Sequence, residues 1–146
     1  MMKKSILLLA ALMLGGCATH WPETALLNPQ VIPSNQQYYS GNRITLEGVD
    51  KREAAYVFSI KKKEKAAVLV NSEQPLNNLL AEKLAEGLRS QGLEVGNSGT
   101  TNLTLAISSA AVTVEEKTFT YVTKSRVSLQ VIADFQGSKL TKQFNM

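Results

Sequence analysis

QPLNNLLAEKLAEGLRSQG, residues 74–92, is the segment of this chain with the clearest helical period. Leu76, Leu80, Leu84 and Leu88 recur every four residues, and Leu79, Ala81 and Ala85 widen that stripe until it can cover a core. Asn71 or Ser72 supplies a candidate cap, Pro75 is tolerable in a first turn, and Gly92 suits a left-handed stop. Gly87 weakens the interior by about 1 kcal/mol relative to alanine. A leucine stripe of this kind is read as core-facing rather than as a partner-binding face.

On both sides of the helix the period drops to two. In RITLEGV, residues 43–49, Ile44 and Leu46 alternate with Thr45 and Glu47, which predicts a half-buried strand. YVFSI and AAVLV flank KKKEK, residues 61–65, and predict a β-hairpin with a charged tip. After the helix come LEV and the glycine-bearing turn GNSG, then two long strands. Leu103, Leu105 and Ile107 share one face of the first, whereas the apolar phase beyond SSAA falls on Val112 and Val114, which predicts a β-bulge there. The second sets Phe119, Tyr121, Val127, Leu129, Val131, Ala133 and Phe135 on one side against Lys124, Arg126, Gln130 and Asp134 on the other. Gly137 and Ser138 turn the chain into KLTKQF. The expectation is an α+β fold: a two-layer domain in which an antiparallel sheet of four to five strands is covered by one main helix. Its last strand should leave an unpaired edge and uncovered sheet.

The first residues bear on location rather than chemistry. Lys3 and Lys4 precede an apolar run from Ile6 to Leu14, the anatomy of a secretory signal peptide and too short for a membrane-spanning helix, which needs roughly 20 such residues. Cys17 is the only cysteine, so no disulfide can form within the chain. Leu14-Gly15-Gly16-Cys17 resembles a bacterial lipobox. The resemblance implies cleavage between Gly16 and Cys17, a thioether-linked diacylglycerol and an N-acyl chain on Cys17, and hence stable attachment, because one acyl chain alone binds membranes only marginally. Ala18 is not the aspartate of an inner-membrane retention signal, so the resemblance further implies an outer-membrane protein facing the periplasm.

Three segments are expected: a signal peptide over 1–16, a lipidated N-terminus and flexible tether over 17–42, and a periplasmic α+β domain over 43–146. Pro22, Pro29 and Pro33 interrupt any period in the tether, which would reach about 80 Å stretched and about 30 Å as a relaxed coil. Tyr38-Tyr39 within it is read as an aromatic pair packing beside the first strand. Loss of Lys3 and Lys4 with the leader reduces the formal charge from +4 to +2, too little to argue for a nucleic-acid partner.

Few residues invite a chemical role. Asp50 and Arg52, two apart, can face one side and either pair with each other or grip a polar ligand. Lys61, Lys62, Lys63 and Lys65 are candidates for contact with an anionic surface, lipid or cell-wall polymer, beside the plainer reading of a solvated hairpin tip. His20 is the only histidine and lies in the tether; Cys17-x-x-His20 has the spacing of half a zinc site, but an acylated sulfur cannot ligate as thiolate. GNSG lacks the lysine of a phosphate loop, and Glu115-Glu116 point to opposite faces of a strand. No nucleophile has a base beside it, so no catalytic residue, metal site or cofactor other than the acyl groups is expected.

The pieces in order resemble the YajG-type lipoproteins of Gram-negative bacteria: the lipobox, the proline-bearing tether, Gly48-Val49-Asp50-Lys51-Arg52, the helix ending at Gly92, Val95-Gly96, Gly99, Asn102-Leu103, Ser108, Thr123-Lys124, and Gly137-Ser138-Lys139-Leu140-Thr141-Lys142. Members of that family continue past the last strand into a further strand segment and a long amphipathic helix, so the resemblance implies a shortened and less stable member. The resemblance names no ligand, and the leading expectation is a non-enzymatic, outer-membrane-anchored protein whose periplasmic domain binds an envelope protein or peptidoglycan. The alternative is a structural accessory subunit that self-associates, or adds to an envelope assembly, through its sheet edges.

Overall fold

In the computed structural model residues 22–146 are described, so the leader, the Gly16–Cys17 bond and His20 lie outside the described residues. Nine elements follow in order: β1 (Thr24–Ala25), β2 (Arg43–Asp50), β3 (Tyr56–Lys61), β4 (Val68–Ser72), α1 (Leu76–Ser90), β5 (Glu94–Gly96), β6 (Thr101–Glu116), β7 (Tyr121–Phe135) and β8 (Ser138–Asn145).

β6 organises the rest. Along one edge it pairs antiparallel with β7 from Thr101↔Phe135 to Glu116↔Tyr121, and β7 pairs antiparallel with β8. Along the other edge it takes two parallel partners end to end. β2 matches Thr101–Ile107, and β3 matches Val112–Glu115. The sheet therefore forks, with β2 and β5 on one branch and β3, β4 and β1 on the other. This overturns the expected antiparallel sheet of four to five strands under a second layer. The protein is mostly sheet, 50% strand against 12% helix, in one curled mixed sheet of eight strands with a single helix among the described residues. The physical reason is the crossover. β4, α1 and β5 carry the chain back across the sheet before β6 begins, and a connection of that length lets β6 run parallel to β2 and β3, which a tight turn cannot do.

The predicted bulge is present as a register break between Ile107 and Ser109. Ahead of it, Ile107 packs at the centre of the core with Val57, Leu76 and Leu79. The predicted hairpin is β3–β4, paired from Tyr56↔Asn71 to Ile60↔Val68. At its start α1 lacks the expected side-chain cap. Asn71 and Ser72 belong to β4, Pro75 occupies the cap position, and its carbonyl accepts from the Asn78 and Leu79 amides, both at 3.1 Å. The C-terminus ends as anticipated. Gly92 has φ +91°, and the Leu93 amide donates to the Leu88 carbonyl at 3.2 Å, a Schellman-type stop.

Residues 23–42, read as part of a tether, are held against the fold. The Asn71 amide donates to the Glu23 carbonyl and the Glu73 amide to that of Ala25, placing β1 beside β4. Farther along, the Ser34 amide donates to Ser90 Oγ, the Tyr39 amide to the Gln91 carbonyl, and Leu27 packs on the core. Tyr38 and Tyr39 form an edge-to-face pair with centroids 6.2 Å apart just before β2. Val31 crosses α1 at Gly87, where an added Cβ would meet it at 3.5 Å, ordinary contact. Gly87→Ala is therefore expected to stabilise the domain by about 0.5–1 kcal/mol in urea denaturation, helix propensity being gained without a clash.

Candidate functional site

Where β2 ends and β3 has not begun, the edge of β6 is briefly unpaired, and the connection 51–55 spans the gap. The Lys51 amide donates to the Ile107 carbonyl at 2.9 Å and closes β2. Asp50 and Arg52 then meet. Arg52 Nε donates to Asp50 Oδ1 at 2.9 Å, Nη2 to Oδ2 at 2.8 Å, and the Arg52 amide to Oδ1 at 3.1 Å. Arg52 Nη1 reaches the carbonyls of Tyr56 at 3.3 Å and Ala110 at 3.5 Å. One guanidinium thus links the last residue of β2, the first of β3 and the middle of β6. Its side chain is 6% exposed and that of Asp50 33%.

This pair holds the Asp50 carboxyl below its ordinary value, chiefly through the side-chain hydrogen bond from Arg52, against a burial effect acting the other way. A lowered folded-state value means that the pair's stability is fully present above the unfolded carboxylate value, about 3.9, and is lost as pH falls through the lower folded value. Wild type should therefore exceed Asp50→Asn in stability by a constant margin at neutral pH, and the margin should shrink only below about pH 4. A gap in urea midpoints that already narrows between pH 7 and 5 would contradict this.

Over the clamp lies an open groove of about 920 Å³. Lys51, Arg52 and Glu53 line it from the connection, Tyr56 from the start of β3, Ser108, Ser109 and Thr113 from β6, and Lys124, Ser125 and Arg126 from β7. Lys124 and Arg126 stand opposite Thr113 and Ala111, two residues apart on one face and exposed. Four cations and one carboxylate therefore share the lining; Asp50 compensates the Arg52 charge, and Lys124 also acts on Glu115 beside the groove. At the bulge, Ser109 Oγ is buried without a hydrogen-bond partner. Such a surface attracts anions by charge and hydroxyl donors. No histidine stands in its lining beside a hydroxyl nucleophile.

Asp50 and Arg52 are thus brought together as an ion pair beneath the groove. Lys61, Lys62, Lys63 and Lys65 sit elsewhere, at the β3–β4 turn, and Cys17 lies outside the described residues. Glu115 pairs with Lys117 at 3.2 Å, and that hydrogen bond leads the effects that lower its carboxyl. Sequence reasoning singled out neither Lys51 nor Ser109. For Lys124 and Arg126 the signal was present as the polar face of β7, but nothing local placed Lys51 opposite them. Among the described residues no group of three His, Cys, Asp or Glu side chains is arranged to hold a metal, and no helix is long and apolar enough to cross a membrane.

A family model described as an uncharacterized lipoprotein matches residues 29–146. No curated protein matches the chain in sequence. Among solved structures, a Xanthomonas campestris protein of the domain family DUF330 superposes with a TM-score of 0.59 at 9% identity, covering 84% of this chain and 75% of the other. A second, an uncharacterized protein, gives a TM-score of 0.44 at 14% identity over 86% and 79% of the two chains. The first shares the fold; at that identity it says nothing of activity.

Proposed function

The chain belongs to this family of uncharacterized lipoproteins, and from that premise we propose a YajG-type lipoprotein, held in the outer membrane by acylated Cys17, whose periplasmic domain binds peptidoglycan without catalysis. The observation that carries the reading is the convergence of Lys51, Lys124 and Arg126 on one open groove that holds a single carboxylate, Glu53. Peptidoglycan stems present carboxylates at short intervals, and a groove of this size takes an extended peptide stem rather than an isolated ion. Envelope attachment puts the domain where that polymer is.

The test is cosedimentation of the purified full chain with isolated sacculi. Charge reversal of the two β7 cations, Lys124→Glu with Arg126→Glu, is expected to weaken binding at least about tenfold and to flatten its salt dependence, since both residues are exposed and neither contributes to the core. Sedimentation of the variant equal to wild type would remove peptidoglycan as the groove's ligand.

A second reading, assembly through sheet edges, draws on β8. All eight of its residues are exposed, among the described residues it pairs only with β7, and Leu140 and Phe144 stand 74% and 46% exposed on one face. Against it, a two-fold pairing that sets Leu140 opposite Phe144 also sets Lys142 opposite its own copy, a like-charge contact. Crosslinking in intact cells separates the readings. A ladder of self-adducts favours assembly, and a wall adduct favours the groove.

A further inference from the structure

The tip lysines are not part of the groove, and their surroundings suggest a separate role. Parallel pairing of Lys61 with Glu115 brings the β3–β4 and β6–β7 turns to the same end of the sheet, where Lys63 Nζ donates to Thr118 Oγ1 at 2.7 Å. At this end Phe119 is 96% exposed and Tyr121 69%. Lys61, Lys62, Lys63, Lys65 and Lys117 outnumber Glu64, Glu115 and Glu116 around them. Single exposed apolar residues are ordinary. An outward phenylalanine at a turn, a tyrosine two residues on and a collar of lysines together match the bilayer interface, where aromatic rings lie at headgroup depth and lysines meet phosphate.

Chain geometry points the same way. β1 runs parallel to β4, away from the β3–β4 turn, so the chain enters β1 from the side of that turn. Thr24 and Tyr56 flank Asn71 in register, and Tyr56 lies five residues before Lys61, about 17 Å along the strand. Cys17 precedes Thr24 by seven residues, which span at most about 24 Å. Because residues 23–42 are held against the fold, this short leash replaces the long tether expected from sequence. It reaches the level of the two turns but not the opposite end of the sheet: of the roughly 50 Å spanned by the 15 residues of β7, about 30 Å lie beyond the level of Thr24.

We propose that the end formed by the β3–β4 and β6–β7 turns is the bilayer-facing end of the domain, with Phe119 and Tyr121 in the headgroup layer and the surrounding lysines on lipid phosphates. The orientation rests on the reading of Cys17 as acylated. The contact itself does not need it.

Trp21 is the only tryptophan, so full-chain protein carrying Trp21→Phe and Phe119→Trp has one fluorophore at the tip. A control carries Trp21→Phe and Leu140→Trp, on the exposed β8. Both are reconstituted into phosphatidylethanolamine–phosphatidylglycerol vesicles, with flotation and the mass of the N-terminal peptide reading the anchor. The expected result is blue-shifted emission at position 119, quenched by brominated lipid, and solvent-like emission at position 140. Chains that float but show no greater bromolipid quenching at 119 than at 140 overturn the tip contact while leaving the anchor intact. If Cys17 proves unacylated, titration with the same vesicles decides. A saturating blue shift at 119, weakened about fivefold for each of Lys61→Gln and Lys65→Gln, supports the contact, and a flat titration overturns it.

Discussion

Gly48→Ala is expected to lower the stability of the domain by about 3 kcal/mol, the upper end of the usual cost of overpacking, and to shift the urea midpoint with little change in slope. A Cβ at this position of β2 would overlap the backbone carbonyl oxygen of Asn77 and lie 3.1 Å from the Ala81 Cβ. Because the obstacle is backbone, no rotamer change relieves it, and α1 as a whole must lift. Lifting the helix also lengthens the 3.0 Å bond from Asn77 Nδ2 to the Gly48 carbonyl and withdraws Leu76 and Leu79 from Ile107. A single methyl therefore acts on the whole helix–sheet contact. Asn77→Ala removes only the hydrogen bond, leaves room, and should cost about 1 kcal/mol. If the two variants lose the same amount, the helix is not seated on Gly48 as described.

The close approach at Gly48 shows what kind of information the sequence carries. The leucine stripe of α1 was legible because a helix of its length imposes its period on every side chain it buries. The bulge in β6 was legible for a similar reason. Leu103, Leu105 and Ile107 occupy odd positions and Val112 and Val114 even ones, and only an extra residue reconciles the two phases. Alternation, however, reports which face a side chain takes and not which strand lies beside it. Nothing in RITLEGV or YVFSI distinguishes a parallel neighbour from an antiparallel one, so the sharing of one β6 edge by β2 and β3 was invisible. The groove was hidden with it, because Lys51 meets Lys124 and Arg126 only through that fork. The contacts of segment 23–42 were hidden for another reason: much of what holds it is backbone hydrogen bonding, such as Tyr39 to Gln91, which leaves no mark on side-chain pattern. Phe119 failed differently. Counting back by twos from Tyr121 places it with the core residues of β7, but the chain has already turned, with the Lys117 amide bonded to the Thr120 carbonyl at 2.8 Å, and the ring points into solvent.

The Asp50–Arg52 spacing was legible as a pair but not as a clamp, and the clamp makes the two partners unequal. Asp50→Ala is expected to cost about 3 kcal/mol, because it strands a guanidinium whose side chain is 6% exposed with only two backbone carbonyls for company. Arg52→Met removes the same ion pair yet should cost only about 1 kcal/mol. The thioether fills similar volume, and the carboxylate left behind, 33% exposed, can turn to water. Ligand binding should move the opposite way. Uncompensated by Asp50, the Arg52 charge adds to the field of Lys51, Lys124 and Arg126 in the groove above it, so Asp50→Ala should bind sacculi more tightly than wild type at temperatures well below its melting. Arg52→Met, which leaves the Asp50 carboxylate uncompensated beneath the groove, should bind sacculi more weakly than wild type. Stability falling while affinity rises is hard to obtain from a loosened fold, and it follows directly from a cation held neutral by a neighbour that is then taken away. Equal stability losses from the two substitutions would mean that water already reaches the guanidinium. The fork would then be held by β6 pairing alone, and Arg52 would be no more than a bystander beneath the groove.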